Sequence, residues 1–406
     1  MKISVIIPTK DIQHSVDNVL EALTMQTLQP SEVVIVDSSK DDSIEKILKK
    51  YNSQLNFKYF YSVEGLFPGE ARNKGLEMAQ YPVIAFLDSK TVPVKDWLEL
   101  SSRKLQTENY QVIFGSTLYL ATTELQKIFQ SSIYGKRPIE TTPGSILTKD
   151  TANIIGKFAE GVRASEDQDW RNRIKESNLL SYFPETFNLT YSLISEKLST
   201  ELYRNYIYQL HTAKTDAQMH SKLFILGIFT TLLTLLTPSW NVIVGWEKSA
   251  LYIPNITKIY LSSMLITIAI IFLFYQNKIQ PILTRFILTA IGIAGFYIVY
   301  RWNGVISKSI DFIIYFPHIT KMYIAALFGS GFIFRAFISP LSKGSSARDL
   351  LPLRWLKMGI ACFLVDLVKL PGYLIGAILS ISRMFIGPIY ARISKMKRYI
   401  KLNLKN

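Results

Sequence analysis

Polar side chains, two of them carboxylates, stand directly after three hydrophobic runs in the first 90 residues. Pro8-Thr9-Lys10 follows the first run, Asp37-Ser38-Ser39 the second, and Asp88-Ser89-Lys90 a later one. If these runs are parallel strands, their carboxyl ends meet at one edge of a sheet, where the ligands of such sheets bind. The pattern of acids and hydroxyl groups therefore predicts a crevice for a nucleotide.

A second group of acids, Glu166, Asp167 and Asp169, lies farther along the chain. A carboxylate in such a group can act as a general base and take the proton of an attacking hydroxyl group. The pattern also has an ordinary structural explanation, because acids favour the N-terminus of a helix. Taken alone, these three residues favour the structural explanation.

The elements that would position these residues alternate along residues 1–90. Apolar and β-branched runs predict strands at ISVIIPT, EVVIVDS, FKYFYSV and PVIAFLD, and helices are predicted between them at 14–27, 42–51 and 69–79. Strands that alternate with helices indicate an α/β fold with a doubly wound, mostly parallel sheet. Neither GxGxxG nor GxxxxGK[ST] follows the first strand, so a dinucleotide-binding fold and a P-loop are not supported.

Charge and hydrophobicity divide the chain near residue 221. Residues 1–221 contain 25 basic and 27 acidic residues, whereas residues 222–406 contain 21 basic and only 4 acidic ones. The excess positive charge therefore lies in the hydrophobic half, which is typical of a membrane region with basic flanks and does not indicate nucleic-acid binding. Cys362 is the only cysteine, which excludes an intramolecular disulfide framework and a Cys-rich metal site.

Four stretches of the second half are long enough to cross a bilayer, which needs about 20 apolar residues. They are 223–244, 256–275, 282–300 and 319–338. A fifth stretch, 358–389, contains Asp366 and Lys369. We expect it to be a hairpin or an interfacial element, with one kinked span as the alternative.

Loop charge predicts the topology of this half. Four spans place the basic tail and the N-terminal half together at the cytoplasmic face, as the positive-inside bias requires, and the N-terminus lacks the apolar core of a secretory signal. Residues 196–221 are amphipathic and either lie on the membrane surface or pack as an ordinary helix. The predicted organisation is a catalytic or binding domain at 1–195, an amphipathic juxtamembrane linker at 196–221 and a multi-pass transmembrane region at 222–406.

Five short motifs connect the first half to a known family. SVIIPT, VVIVDSSKDDS, GEARNKG, FLDSK and SEDQDWRNRI occur in this order, and their order and spacing resemble those of the inverting glycosyltransferases of family 2. The resemblance covers residues 1–190 and implies a GT-A-like fold and a UDP- or GDP-sugar donor. It also implies a transfer that inverts the anomeric centre.

The resemblance assigns donor-side roles to individual residues. Pro8 and Thr9 would line the nucleoside pocket, and Asp37 would hydrogen-bond the base or the ribose. Arg72 would lie near the nucleotide, where its planar guanidinium suits a phosphate.

The resemblance also assigns the catalytic and acceptor-side residues. Asp167 would be the general base that deprotonates the acceptor hydroxyl, with Glu166 in support. The residues implied on the acceptor side are Gly144, Ser145, Trp170 and Arg173.

Asp88 matches the first acid of the family's DxD motif, whose two acids bind Mg²⁺ or Mn²⁺ at the diphosphate. Here Lys90 stands where the second acid would be. In one interpretation the lysine ammonium supplies part of the positive charge at the diphosphate. In another, a metal ion is still held by Asp88 and other groups. In a third, metal binding and activity are both lost.

Two functions follow from these observations. The leading hypothesis is a membrane-bound inverting glycosyltransferase that moves a sugar from a nucleotide-sugar to a lipid-linked, polyprenyl-type acceptor at the cytoplasmic face. The alternative is a non-catalytic nucleotide-sugar-binding module on a membrane transport or scaffold protein. Lys90 and the paired charges of Asp366 and Lys369 motivate the alternative, whereas Asp167 and Arg72 favour the enzyme.

Overall fold

The computed structural model describes residues 1–11, 13–41, 43–212, 215, 329, 331–373 and 375–376. The chain divides into two compact units, Met1–Ala217 with Phe334–Asn406, and Gln218–Ile333. The elements named below all belong to the first unit. The predicted spans 223–244, 256–275 and 282–300 lie outside the described residues, as do most of 319–338, the end of 358–389 and the basic tail.

The parallel half of the sheet is built from four buried strands and the helices between them. The strands are β1 Ile3–Thr9, β2 Glu32–Asp37, β3 Phe57–Tyr61 and β4 Val83–Phe86, joined by helices α1 Gln13–Thr24, α2 Ser43–Tyr51 and α3 Pro68–Met78. They lie side by side in the order β3-β2-β1-β4, and each neighbouring pair is parallel. The predicted alternation of strands and helices over residues 1–90 is confirmed.

The sheet continues with strands of mixed direction. The later elements are β5 Thr91–Pro93, α4 Trp97–Thr107, β6 Val112–Tyr119, α5 Glu124–Phe129 with a π-helical turn Gln130–Tyr134, β7 Glu140–Thr148, α6 Lys149–Ile155, α7 Glu166–Glu176, β8 Ser181–Tyr182 and β9 Leu189–Tyr191. The full order is β3-β2-β1-β4-β7-β6-β9-β5, with β8 beside β6. Because β7 runs antiparallel to both β4 and β6, the continuous parallel part of the sheet ends at β4, although β6 is again parallel to β8 and β9.

Two apolar layers cover the faces of the sheet. Successive side chains of a strand point to opposite faces, so Val5 and Ile7 of β1 pack with α1, α2 and α4, while Ile6 packs with α3, α6 and α7. Both faces are therefore buried, which is the arrangement expected of a parallel sheet with helices on each side. The carboxyl ends of β1, β2 and β4 meet at one edge, as the sequence predicts.

The rest of the described chain is helical. It comprises α8 Leu198–Thr212, a π-helical turn Phe334–Ile338, α9 Ser339–Ser342, α10 Ala347–Leu350 and a longer helix at residues 354–373, named α11 here. On one side of α11, Met358 and Ala361 are buried against Phe129 and Leu350. Asp366 pairs with Arg335 at 2.7 Å and with Lys369 at 3.5 Å.

The other side of α11 exposes a stripe of large apolar side chains. Leu353, just before the helix, and Leu356, Ile360 and Leu367 within it are 62%, 39%, 48% and 53% exposed. In the ranges that the structure describes, no helix is both long enough and apolar enough to cross a bilayer.

Candidate active site

Asp37 lies at the carboxyl end of β2 and is fully buried. One of its oxygens, Oδ1, accepts hydrogen bonds from Thr9 Oγ1 at 2.9 Å, Ser39 N at 2.9 Å and Ser39 Oγ at 2.6 Å, and Oδ2 accepts one from Tyr59 Oη at 2.9 Å. Two carboxylate oxygens offer about four lone-pair positions, so this network uses the acceptor capacity of Asp37. The side chain therefore ties together the loops that follow β1 and β2, with Pro8 and Thr9 at their base. Its predicted contact with a base or ribose stays a prediction.

Arg72 joins the two acidic motifs of the sequence. Its guanidinium donates from Nη2 to Asp88 Oδ1 at 2.7 Å and from Nη1 to Glu166 Oε1 at 2.9 Å, and the side chain is only 4% exposed. Asp88 follows β4 and Glu166 begins α7, so this one buried residue holds the strand end and the helix start in a fixed relation. Both terminal nitrogens of Arg72 already bind carboxylates. Its predicted contact with a nucleotide stays a prediction.

The other polar residues of the GEARNKG motif hold the segment that leads into α7. Glu70 Oε1 accepts from Gly161 N at 2.9 Å. Asn73 donates to Phe158 O at 3.0 Å and accepts from Phe158 N at 2.8 Å. These contacts explain why the motif and the acids lie together although they are far apart in the sequence.

The two adjacent acids of α7 have different surroundings. Glu166 is buried, and its Oε2 has no hydrogen-bond partner in the described structure. Burial raises the pKa of Glu166 above its ordinary value, the charge of Arg72 opposes this shift, and the nearby Asp167 adds to it. The Asp167 side chain is 35% exposed and lies 3.6 Å from Arg171. Asp167 is therefore the carboxylate of this pair that a substrate can reach.

The residues predicted for the acceptor side do not come together in the crevice. Trp170 is fully buried and packs against Phe86 and Phe158 with ring centroids 5.5 and 4.9 Å apart, because it lies one helical turn after Glu166 on the inner face of α7. Ser145 is also fully buried and donates to Thr141 O at 2.9 Å.

Gly144 and Arg173 have structural contacts as well. Gly144 has a φ of +85° and approaches Gly115 of β6, where an added Cβ would lie 2.9 Å from the Gly115 Cα. Its carbonyl accepts from Trp97 Nε1 at 3.0 Å. Arg173 pairs with Asp169 at 3.0 Å and donates to the carbonyl of Lys157 at 2.8 Å, so it ties α7 to the turn after α6.

The family pattern implies a divalent metal ion at Asp88, and the surrounding residues fit such an ion poorly. Asp88 Oδ1 is already paired with Arg72, and Lys90 occupies the position of the second acid. In the part of the chain that the structure describes, no three histidine, cysteine, aspartate or glutamate side chains are grouped to hold a metal ion. One partly neutralised carboxylate beside a lysine is a weak ligand set for Mg²⁺ or Mn²⁺, which prefer oxygen anions.

Lys90 lies half-buried next to Asp88. Burial lowers the pKa of Lys90, the charge of Asp88 opposes this shift, and Arg163 and Arg204 lower the pKa further. Lys90 therefore has a carboxylate and two other cations as its electrostatic neighbours. The sequence predicts the lysine but not the two arginines.

Helix α8, assigned to the linker in the sequence prediction, packs on the catalytic half instead. Its buried residues are Glu201, Gln209 and Thr212, and Thr212 shares a hydrogen bond of 2.5 Å with Ser165, next to the acidic motif. Of the two interpretations left open for residues 196–221, the packing helix describes α8. Its polar inner face brings Glu201 and Arg204 toward the crevice.

A group of tyrosines that the sequence analysis does not identify lies beside these cations. The rings of Tyr119 and Tyr134 stack at 4.4 Å, and those of Tyr119 and Tyr191 lie 5.2 Å apart. Burial raises the pKa of Tyr119, and the charges of Asp167 and Asp88 contribute to this. Nothing in the local sequence distinguishes Tyr119 and Tyr191 from ordinary strand residues, since tyrosine is common in strands, and Tyr134 lies in the π-helical turn after α5.

Comparison with known proteins agrees with the motifs. Residues 4–167 match the family model described as "Glycosyl transferase family 2". The match contains Asp37, Arg72, Asp88, Glu166 and Asp167. This part of the chain is a glycosyltransferase family 2 domain, and the predicted GT-A-like α/β fold of the domain is confirmed.

Several known proteins are similar to parts of the chain. Glycosyltransferase AglE of Haloferax volcanii is 25% identical over 190 residues, which are 43% of this chain and 62% of that protein. An uncharacterized glycosyltransferase of Rickettsia felis is 29% identical over 177 residues, 41% of this chain and 29% of that protein. The chain thus spans less than two thirds of the length of either relative. Among solved structures, the mannosyltransferase PcManGT from Pyrobaculum calidifontis, in complex with GDP-Man and Mn²⁺, is 15% identical with a TM-score of 0.42, covering 75% of this chain and 83% of its own.

Proposed function

We propose that this protein is a membrane-bound inverting glycosyltransferase that moves a sugar from a UDP- or GDP-sugar to a lipid-linked, polyprenyl-type acceptor at the cytoplasmic face. The observation that carries the proposal is the position of Asp167. It is a partly exposed carboxylate beside the buried Arg72–Glu166 pair, in a domain of the glycosyltransferase family 2 type. AglE and the Rickettsia felis protein, which are similar to this part of the chain, are also described as glycosyltransferases.

The proposed reaction is a single displacement. The acceptor oxygen attacks the anomeric carbon of the donor sugar while its proton passes to a carboxylate oxygen of Asp167. The bond between the anomeric carbon and the β-phosphate oxygen breaks, and its electron pair leaves with the nucleoside diphosphate. Attack opposite to the leaving group inverts the anomeric centre. Glu166 and Arg72 position Asp167 through the start of α7.

Two features support a lipid-linked acceptor. Residues 222–406 combine apolar stretches with 21 basic and 4 acidic residues, which is typical of membrane regions. The stripe on α11 exposes Leu356, Ile360 and Leu367 on the same unit as the crevice. Apolar side chains on one face of a helix favour insertion into the interface of a bilayer.

The non-catalytic alternative is less well supported by the described residues. The charges of Asp366 and Lys369 now give it little support, because Asp366 pairs with both Lys369 and Arg335. These charges thus have a structural role. Lys90 remains a reason to consider it. A binding module has no need of an accessible carboxylate at the position of Asp167, so substitution of that residue separates the two functions.

We expect Asp167→Asn to lower transfer by about a hundredfold or more, because an amide cannot accept the acceptor proton and general bases contribute about this much. Binding of the nucleotide-sugar should change little. Transfer would be measured with the purified full chain in detergent, using UDP- and GDP-sugars, polyprenyl phosphate and a native lipid extract.

Asp169→Asn is the matched control, because Asp169 lies on the same helix and pairs with Arg173. It should retain most of the transfer activity. Unchanged turnover in the Asp167→Asn variant would refute the assigned base. Nucleotide binding without turnover by the wild-type protein, with any donor and acceptor tested, would favour the binding module.

A further inference from the structure

Three cationic side chains, Lys90, Arg163 and Arg204, come from separate parts of the sequence, and Lys90 lies two residues after Asp88. Lys90 lies in the turn after β4, Arg163 in the segment before α7, and Arg204 on α8. Arg72 pairs with both Asp88 and Glu166, so the turn that carries Lys90 and the segment that carries Arg163 meet at this guanidinium. Like charges repel, so an anion bound between these side chains would stabilise their arrangement.

The strand register fixes the position of Lys90. Thr91, the next residue, pairs with Tyr191 across β5 and β9, and Tyr191 pairs with Tyr119 across β9 and β6. The Tyr119 ring stacks on Tyr134, and the guanidinium of Arg204 lies 5.8 Å from the Tyr134 ring centroid. Rigid strands and stacked rings therefore connect Lys90 to Arg204.

The position of Arg163 follows from α8. The hydrogen bond between Ser165 and Thr212 holds the segment before α7 against the last turn of α8. Tyr208 lies one turn earlier on α8, and burial raises its pKa, which the charges of Arg204 and Arg163 oppose. Arg163 lies two residues before Ser165, so it is held near the last turn of α8, and its side chain is exposed.

The nearby carboxylates form their ion pairs with Arg204 and Arg72 rather than with Lys90 or Arg163. Arg204 pairs with the buried Glu201, and Arg72 is shared by Asp88 and Glu166. Among the described residues, neither Lys90 nor Arg163 has a carboxylate within ion-pair distance. Two unpaired cations beside the strand end that holds the donor-side acid provide a site for a dianionic ligand.

We propose that Lys90 and Arg163 bind the diphosphate of the donor directly and take the place of a divalent metal ion, with Arg204 adding to the positive potential. This inference rests on the proposed function, because it assumes a nucleoside-diphosphate donor. The poor fit of a metal ion at Asp88 agrees with this proposal, because the diphosphate then needs another source of positive charge. Lysine and arginine both bind phosphate, arginine through two parallel hydrogen bonds.

The two cations act on the leaving group in the displacement. When the bond from the anomeric carbon to the β-phosphate oxygen breaks, the electron pair remains on that oxygen and the negative charge of the diphosphate increases. Fixed positive charges at the place where this charge develops stabilise the transition state without reorganisation. The proton of the acceptor goes to Asp167, so atoms and charges balance without a metal ion.

The first test measures binding of UDP and GDP to the purified full chain by titration calorimetry, in EDTA and in Mn²⁺ or Mg²⁺. We expect the better of the two nucleotides to bind with a Kd that changes less than about threefold between EDTA and metal. Binding that is lost in EDTA and restored by Mn²⁺ or Mg²⁺ would overturn the proposal.

The second test uses charge variants in the same titration. Lys90→Gln and Arg163→Gln should each weaken nucleoside diphosphate binding by about tenfold or more, because each removes a charged hydrogen bond to phosphate. Lys90→Arg should keep most of the affinity, and the matched controls Lys95→Gln and Arg103→Gln, both at exposed positions, should keep all of it. Equal weakening by the control variants, or none by either site variant, would refute the site.

Lys90→Asp supplies a gain-of-function test. This substitution restores the second acid of the family pattern, and we expect nucleotide binding by the variant to be weak in EDTA and to recover in Mn²⁺. A variant that binds equally in both conditions would contradict the idea that Lys90 replaces the metal. These titrations need no turnover. A protein that binds nucleotide as predicted but transfers no sugar would therefore refute the proposed function and leave this inference standing.

Discussion

Arg72 is surrounded by more negative charge than it can neutralise. Asp88 and Glu166 both pair with it, and Asp167 lies close enough to act on its pKa. Glu166 is the most buried of the three acids, and one of its oxygens has no hydrogen-bond partner in the described structure. For this reason we expect Glu166 to hold its proton more tightly than an ordinary glutamate.

The raised pKa of Glu166 predicts how stability depends on pH. A carboxyl group whose pKa is raised in the folded state favours folding most at low pH, and this contribution is lost as the pH rises through the folded-state pKa. Glutamine does not titrate. The Tm of Glu166→Gln relative to wild type should therefore increase as the pH is raised from about 4 toward neutrality, as measured by thermal unfolding across this range.

Glu77→Gln is the control for this experiment. Glu77 is exposed, and its hydrogen bond from Lys157 lowers its pKa, so its stabilising effect is present at neutral pH and is lost as the pH falls. The relative Tm of this variant should thus decrease slightly as the pH rises, opposite to Glu166→Gln. A relative Tm of Glu166→Gln that decreases with pH would show that Arg72 outweighs the burial of Glu166.

For single residues, the sequence predicts where the acids lie in the fold better than it predicts which side chains contact each other. Asp37, Asp88 and Asp167 are found at the predicted strand and helix ends, because these ends can be located from local hydrophobic patterns. The burial of Trp170 and Ser145 is not predicted, since burial depends on which side of α7 or β7 faces the core. A motif alone does not contain that information.

Helix α3 holds the segment before α7 and the first residue of α7 in place. Besides Arg72 and Asn73, it contributes Gly69, where an added Cβ would lie 2.5 Å from the backbone oxygen of Ala159 and 3.2 Å from Glu166 Cγ. The missing side chain lets the segment before α7 approach the helix. The GEARNKG motif therefore combines a close contact with polar anchors.

Gly69→Ala should destabilise the protein and impair transfer. Alanine favours a helix over glycine by up to about 1 kcal/mol, but overpacking against backbone costs about 1–3 kcal/mol, so we expect a net loss. The displaced segment should lower kcat more than donor affinity. The control Glu77→Ala removes only exposed ion pairs on the same helix, whose contribution is small. Equal Tm and kcat in Gly69→Ala and wild type would show that the segment before α7 can move away from the added methyl group without loss of stability or activity.

The sequence predicts the elements of the first 90 residues well because each strand and helix there has a clear local period. Helix α8 shows the limit. Its apolar spacing at Leu198, Leu202, Tyr206 and Leu210 is correct for a helix, but its buried face holds Glu201, Gln209 and Thr212. A polar face is buried only where partners such as Ser165 exist elsewhere in the chain, and the local sequence does not reveal them.

For the molecule as a whole, the proposed contact of α11 with a bilayer would set the distance between the crevice and the membrane. One side of α11 packs against the tyrosine-bearing part of the domain, through Met358 and Ala361. In addition, an added Cβ on Gly372 would lie 2.7 Å from the backbone oxygen of Tyr206 in α8. The helix is thus firmly seated beside the elements that carry Arg204 and Tyr134. If its exposed stripe lies in a bilayer interface, the crevice is held near the headgroups, where a lipid-linked phosphate acceptor is found.

This arrangement predicts which surface residues contact lipid. In the full chain reconstituted into liposomes, with Cys362→Ser as background, single Ile360→Cys and Leu356→Cys variants would be labelled with a fluorophore. Lipids that carry a nitroxide just below the headgroup should quench both labels strongly, because an interfacial helix buries its apolar face about 5–10 Å into the headgroup region. Leu100→Cys and Ile154→Cys are matched controls, since these side chains are 52% and 64% exposed elsewhere on the domain, and they should be quenched little. Equal quenching at all four positions would show that the exposed stripe of α11 does not contact the bilayer preferentially. The acceptor would then reach Asp167 without α11 at the interface.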